Sequence, residues 1–255
     1  MGLEINRPLG VGGITPNIYI EPKKYAGSSY PVDTFERTSI DRYTTEAAIK
    51  RMIASNPKIK NITKKYNPNL NLNMNELREL LSTHAADTGN IAMGIIEHLP
   101  FSLQNRVDSK AISDAAYLHD LGKVLIPPEV LNKPGKLDSN ETKIMHTHSE
   151  LSYELLKNSK INDKTLKLIR NHHQNAKKTG YPWVGNDFSA DLNLQILSVA
   201  DKYSALTEKR AYKEPMSPKQ ALTIIYQDVK EEKLHPFVFK ALINYVNNEA
   251  LTKVS

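Results

Sequence analysis

Near the middle of the chain, residues 117–123 read YLHDLGK. The segment before the His, AISDAAYL, is small and partly apolar, which suits the buried side of a helix, yet it runs straight into His119 and Asp120. Both side chains are costly to bury without partners. The same pattern recurs elsewhere. His84 follows Leu77, Leu80 and Leu81 at seven, four and three residues, a spacing that shares one helix face. His119 follows Ile112, Ala115 and Ala116, and His148 sits between Ile144 and Leu151 on a stripe that continues to Leu155. His172 follows Leu168, His173 follows Leu166 and Ile169, and Asp201 follows Leu194 and Leu197.

Five His and two Asp, from five separate helical segments, are therefore expected to point inward. Seven such groups in one core would be untenable unless something binds them. Imidazoles and carboxylates together suit a divalent transition metal such as iron, manganese or zinc. The set is too large for one ion, and two ions sharing a bridging carboxylate fit better. The remaining His contrast with these: His146 is turned away from His148, His98 sits at a helix end and His235 precedes Pro236. Adjacent helix residues point about 100° apart, so His119 and Asp120 can converge on one metal pair only near a helix end. Gly122 lets the helix stop there, and Lys123 places a cation where a phosphate could meet it.

The elements that must carry these residues read as helices. One is expected over 38–55, stopped near Asn56-Pro57. A second runs from Asn73, with Glu76 three residues on as a capping partner, to Pro100. Further helices fall near 108–121, 139–157, 163–175, 190–207, 217–230 and 236–250, and Asp138 with Glu141 forms another capping-box pattern. No run of alternating strand residues occurs, so the fold class is all-α. Residues 1–36, rich in Gly and Pro, read as an extended arm with the composition of a disordered one. Residues 37–72 read as a short helical segment and an Asn-rich linker, and residues 73–255 as the domain that holds the inward-facing array.

With 255 residues, 40% hydrophobic, the chain can bury one substantial core. No run approaches the ~18 apolar residues of a membrane helix, and the N-terminus lacks the basic start and apolar core of a signal peptide. The absence of Cys excludes disulfides and thiolate ligands. A cytoplasmic protein of bacterial type is the simplest expectation. A net charge of +6 favours an anionic ligand but falls short of a surface for polymeric nucleic acid.

The ordered set His84, HDLGK, HTHSELSYELL, HHQNAKKTGYP and VADKYSALTEKRAYK resembles the HD-GYP domain, a branch of the HD superfamily of metal-dependent phosphohydrolases. The resemblance spans about residues 74–250. An HD pair alone is weak, but the ordered ligand positions with Gly180-Tyr181-Pro182 eight residues after His172 are specific. It also favours His148 over His146 as ligand, because a small residue, Ser152, follows four positions later.

The resemblance implies a helical bundle around a dinuclear site of divalent ions, iron or manganese, that hydrolyses a cyclic dinucleotide, above all cyclic di-GMP. Position by position, it implies that His84, His119 and Asp201 bind one ion, that His148, His172 and His173 bind the other, and that Asp120 bridges them. Lys123 would contact the scissile phosphate, Arg210 and Lys213 would hold phosphate oxygens, and Tyr181 would stack or hydrogen-bond. Leu80 occupies the position of the family's additional metal-site Glu, which favours two ions over three. Two metals suit this reaction because they lower the pKa of a shared water toward ~7, giving a bridging hydroxide as nucleophile, and bind the phosphate's non-bridging oxygens.

Some positions depart from the family pattern. Gln174 replaces a Glu, Lys177-Lys178 replace Asp-Gly, Ser204 replaces a second acid and Ala211 replaces a Pro. These leave the ligand set complete and bear on the substrate. The alternatives are an HD phosphohydrolase acting on another nucleotide or phosphoester, and a non-catalytic cyclic-dinucleotide sensor. The N-terminal arm offers a surface for a protein partner or a homodimer contact.

Overall fold

The computed structural model describes residues 40–208 and 214–252, so the arm of residues 1–36 lies outside the described residues. Among the described residues the chain is all-helical, as expected, with one 3₁₀ turn and no strand. Two short helices, α1 (Glu46–Ala54) and α2 (Pro57–Thr63), lead into the bundle. There follow α3 (Met74–Ser82), α4 (His84–Glu97), the single turn α5 (Phe101–Gln104) and α6 (Ser109–Leu118). The 3₁₀ turn covers Leu121–Leu125, and α7 (Pro128–Leu131) precedes α8 (Ser139–Leu156) and α9 (Asp163–Asn171). The last three helices are α10 (Leu192–Thr207), α11 (Pro218–Lys230) and α12 (Pro236–Thr252). No helix among the described residues is long and apolar enough to cross a membrane.

Helix α4 is central and packs against α10, α6, α12 and α3. The 3₁₀ turn lies along α8, and α9 contacts both α6 and α8. Ile95, Ile112, Leu118, Leu151, Leu155, Ile169 and Leu197 are fully buried between these helices. Each contributes about 1.5–3 kcal/mol of transfer free energy. The stripes of Ile and Leu that carry these residues are the ones that carry the His array, so packing of the core orients the array.

Local chemistry sets the element ends. The capping box expected at Asp138 is present: its carboxylate accepts from the backbone N–H groups of Asn140 and Glu141, and Glu141 accepts from the N–H of Asp138. Ser217 and Gln220 form a second box, with Pro218 at the first helical position. Asn73 behaves otherwise. Its side chain makes no cap bond and instead donates to the carbonyl of Ile126. The helix expected from Asn73 to Pro100 is also two helices, because Thr83 leaves the helical region at φ −115°, ψ −85°. The Thr83 hydroxyl donates to the carbonyl of Glu79, closing α3, and the chain turns inward at His84.

The N-terminal side differs as well. The helix expected over 38–55 is regular only from Glu46, because Thr45 caps it by accepting from the N–H of Ala48. The Asn-rich run expected as a linker, residues 61–75, begins in the last turn of α2 and carries a set of ordered bonds. Buried Asn67 donates to the carbonyls of Asn71 and Leu125 and accepts from the N–H of Asn71. Asn side chains can take over the backbone's hydrogen bonds in this way, which holds an irregular stretch against the 3₁₀ turn.

Helix α2 is fastened to α8 by one buried carboxylate. Glu154 accepts from Asn56 at 2.7 Å, Lys58 at 2.9 Å and Lys157 at 2.7 Å. Burial acts to raise its pKa, but the hydrogen bonds from Lys157, Lys58 and Asn56 outweigh this and hold it below the usual glutamate value. A carboxyl with a depressed folded pKa contributes stability above its unfolded pKa and loses it as pH falls toward the folded value. Glu154→Gln should therefore destabilise the metal-free protein by about 1–3 kcal/mol at pH 7. The gap to the parent should close as pH drops below ~4.5. Urea denaturation across that range measures it, and a pH-independent gap would mean that the charge on Glu154 is irrelevant.

Candidate metal centre

The bundle brings the seven inward-facing groups together at a cavity of about 750 Å³: His84, His148, His172, His173 and Asp201 line it, and His119 and Asp120 are buried against them. His119 caps the C-terminus of α6 and Asp120 follows it, so the helix ends where the two side chains must converge. His148 projects from the middle of α8, His172 caps the C-terminus of α9 with His173 next, and Asp201 projects from α10. His84 is the first residue of α4 rather than part of a continuous helix from Asn73. His84, His119, His148 and His172 are each 1% exposed or less.

Two clusters share one carboxylate. His84 Nε2 lies 3.0 Å from Asp201 Oδ1 and 3.7 Å from Asp120 Oδ2. His119 Nε2 lies 3.4 Å from Asp120 Oδ2 and 3.7 Å from Asp201 Oδ1. Across the site, His148 Nε2 is 3.3 Å from Asp120 Oδ1, 3.2 Å from His172 Nε2 and 3.1 Å from His173 Nε2. The Oδ2 of Asp120 thus faces one cluster and its Oδ1 the other. Donor atoms converge to within 4.8 Å in three triads: His84/His119/Asp201, His148/His172/His173 and His119/Asp120/His172.

This arrangement fits divalent cations on physical grounds. His119 Nε2 and Asp120 Oδ1 are buried without any hydrogen-bond partner, which costs about 1–3 kcal/mol for each such group. With His172 Nε2 and His173 Nε2 both within 3.2 Å of His148 Nε2, the three nitrogens cannot all carry protons. Burial keeps His148 neutral, with its pKa down to about 3, and His173 neutral, down to about 4. Burial likewise holds His172 well below the usual imidazole range. Burial opposes ionisation of Asp120 and Asp201 too. For Asp120, Lys123 and His119 outweigh it; for Asp201, the nearby His119 and His84 do. His119 is the exception: burial lowers its pKa, but Asp120 and Asp201 raise it to about 10. Without metal the two buried carboxylates are answered by Lys123 and by a proton on His119, and cations bound there would displace that proton and take over its charge.

A profile of the HD domain matches residues 70–237. The chain belongs to the HD domain family. It is 40% identical over 122 residues to the cyclic di-GMP phosphodiesterase response regulator RpfG of Xanthomonas campestris, covering 46% of this chain and 32% of that protein. It is 36% identical over 115 residues to the 3'3'-cGAMP-specific phosphodiesterase 2 of Vibrio cholerae, covering 44% of this chain and 22% of that protein. The chain thus spans about a third or less of these curated relatives. Among solved structures, the fold is similar to an HDG"Y"P protein from Bdellovibrio bacteriovorus, at TM-score 0.53 and 12% identity, over 83% of this chain and 67% of that one. It is also similar to the HD domain of the L. monocytogenes phosphodiesterase PgpH in complex with cyclic-di-AMP. That match has TM-score 0.50 and 18% identity, over 68% of this chain and 95% of that one.

Within this HD domain, two small residues allow the ligand segments to meet. A Cβ on Gly122 would lie 2.2 Å from the carbonyl oxygen of His148 and 2.6 Å from the N of Ser152, so only glycine lets the 3₁₀ turn approach α8. Ser152 ties the junction: its Oγ accepts from Gly122 N–H at 2.8 Å and lies 2.6 Å from the His119 carbonyl and 2.9 Å from that of His148. Lys123 sits on the same turn, its Nζ 2.5 Å from Asp120 Oδ2, facing the cavity. Arg210 and Lys213 lie outside the described residues.

The Gly-Tyr-Pro loop closes one wall. A Cβ on Gly180 would lie 1.9 Å from the His173 carbonyl oxygen, so glycine is required by close approach. The Tyr181 ring stacks on His146 at 3.7 Å and tilts against His173 at 4.5 Å. Spacing turned His146 away from the ligand set; the structure gives it this supporting contact instead. Burial, with the nearby carboxylates Asp201 and Asp120, raises the pKa of Tyr181, so its hydroxyl keeps its proton and can donate. Gln174 anchors the loop through both ends of its amide. It donates to the Pro182 carbonyl at 2.6 Å and accepts from Gly180 N–H at 3.2 Å. An ionised Glu has no proton to donate to a carbonyl. Gln174→Ala should accelerate hydrogen exchange of the Gly180 amide about tenfold, and Gln174→Glu less, because it keeps the acceptor. Unchanged protection in both variants would show that the loop is held elsewhere.

Proposed function

We propose that this HD domain is a metal-dependent phosphodiesterase that hydrolyses a cyclic dinucleotide, with cyclic di-GMP as first candidate. The observation that carries this reading is the division of Asp120 between two donor clusters at the floor of a cavity, with Lys123 beside it. The names of the curated relatives support the substrate class. In this reading His84, His119 and Asp201 hold one cation, His148, His172 and His173 hold a second, and Asp120 spans both. The mixed imidazole and carboxylate donors suit iron or manganese.

Bound there, two divalent cations would make a water nucleophilic at neutral pH and neutralise the phosphate's charge. The chain's own residues do the rest. Asp120 fixes the spacing of the two clusters, because each of its oxygens faces one of them. Lys123 supplies a mobile point charge for a phosphate oxygen, exchanging its contact with Asp120 for the substrate. Tyr181, protonated and clamped between two imidazoles, presents a hydroxyl donor from the opposite wall. The cavity volume is in the range of small-molecule sites. Lys133, Lys202 and Lys233 line its sides, each paired with a carboxylate (Glu141, Asp228 and Glu231) that an anionic ligand would displace. Such a nucleotide-consuming domain belongs in the cytoplasm.

A different phosphoester substrate is the second reading. It is favoured by Ser204, which stands where the resemblance leads one to expect an acid near the cavity. Turnover assays on cyclic di-GMP, mixed cyclic dinucleotides and linear nucleotide phosphoesters, each with iron and with manganese, separate the two. Hydrolysis of a cyclic dinucleotide above all others is expected. Metal-loaded protein that turns over only linear phosphoesters supports the second reading, and one that binds a cyclic dinucleotide without turnover is a sensor. Lys123→Ala should retain metal and lower kcat about 10²–10³-fold. Full activity in that variant would remove Lys123 from the reaction.

A further inference from the structure

An imidazole that offers Nε2 to a cation must carry its proton on Nδ1, and the group that accepts this proton fixes the ring. For three of the ligand-type His that acceptor is the backbone. His119 Nδ1 is 2.8 Å from the Ala116 carbonyl, His148 Nδ1 2.7 Å from that of Met145, and His172 Nδ1 2.7 Å from that of Ile169. Each ring reaches back three residues along its own helix. His84 has no such turn behind it, because it begins α4 after the break at Thr83. Its Nδ1 instead meets two side chains of α10, Ser204 Oγ at 3.1 Å and Glu208 Oε2 at 3.6 Å.

Asp201, Ser204 and Glu208 follow one another at three and four residues, so they share a face of α10 and grip both nitrogens of the His84 ring. Glu208 is the C-cap of α10, where a negative charge opposes the helix dipole. Helix stability therefore does not account for an acid at this position. Its side chain is 18% exposed and lines the cavity.

We propose that Ser204 and Glu208 are positioning residues for His84, with Glu208 the carboxylate that holds the ring in its Nδ1–H form and leaves Nε2 bare for the cation. Ser204 accepts the proton at hydrogen-bond distance. Glu208 adds the negative charge that favours that tautomer and strengthens the ring as a ligand. The inference rests on the metal-centre reading above. It deepens that reading, since the acid expected at position 204 is missing and a carboxylate reaches His84 from 208 instead.

The test uses the full chain with Mn(II) alone, titrated against a competing chelator, together with ¹H–¹⁵N spectra of the His84 ring in protein loaded with diamagnetic Zn(II), because Asp201 Oδ1, 3.0 Å from Nε2, competes for the ring proton when no cation is bound. Glu208→Gln should weaken one of two Mn(II) sites about tenfold or more and leave the other within about twofold. In the loaded protein the His84 Nδ1–H signal should move upfield and exchange faster, because it has lost the carboxylate beside it. Ser204→Ala should act in the same direction. Ser204→Asp added to Glu208→Gln should restore both readouts, which a merely structural role would not allow. Unchanged Mn(II) affinities with an unchanged ring spectrum overturn the proposal. So does an equal loss at both sites accompanied by a lower melting temperature of the metal-free variant. If the parent protein takes up neither Mn(II) nor Zn(II), the metal-centre reading fails; if it takes them up and the Glu208 and Ser204 variants change neither affinity nor ring spectrum, only this proposal fails.

Discussion

Asp120 places one carboxylate oxygen against each of two clusters of buried imidazoles, and the bundle is organised around keeping it there. Its Oδ1 has no hydrogen-bond donor, and the nearest ring nitrogen, His148 Nε2, sits 3.3 Å away. A buried charge in such surroundings is strongly disfavoured without a counter-charge. Lys123 answers only one of the two oxygens. The groups around Asp120 push in the same direction: three imidazoles held neutral and a second carboxylate held ionised. This is a set of lone pairs assembled at a cost in stability, and under the proposed function divalent cations would be the partners that offset it.

The elements follow from that constraint. Helix α6 stops at Leu118 so that His119 and Asp120 diverge from a helix end, and the following turn is 3₁₀ so that Gly122 can press against α8. Ser152 then bonds across the junction and fixes His119 relative to His148. Helix α4 lies centrally because its first residue must reach the same point from the opposite side. Far from the cavity, the Glu154 clamp and the Asn67 bonds hold the leading segments against α8 and the 3₁₀ turn, which carry His148 and Lys123. The Gly-Tyr-Pro loop completes the enclosure, with Gln174 as its anchor.

Much of the metal centre was legible in the sequence because burial leaves a periodic trace. Leu and Ile at three- and four-residue spacing oriented His119, His148, His172, His173 and Asp201 inward; the last four line the cavity and His119 is buried against them. The helices were legible for the same reason, and Asp138 with Glu141 because a capping box is local. What escaped depends on partners distant in the chain. Asn73 has the form of a cap, yet its side chain is drawn away by a carbonyl at Ile126. The break at Thr83 was hidden by Leu77, Leu80 and Leu81, whose spacing continues smoothly to His84 although the helix does not. Gln174 read as a hydrogen-bonding side chain that lacks the charge of the Glu it replaces, and its value as combined donor and acceptor emerged only with Pro182 and Gly180 in place. Glu208 carried no sequence signal, since its relation to His84 exists only across two packed helices.

Metal content of the full chain purified without oxygen tests the central claim most directly. Measured by elemental analysis, the account requires close to two divalent transition-metal ions per chain, with Asp120→Asn losing both. A parent protein that retains no such ion, and that takes up none when iron or manganese is supplied, would contradict it.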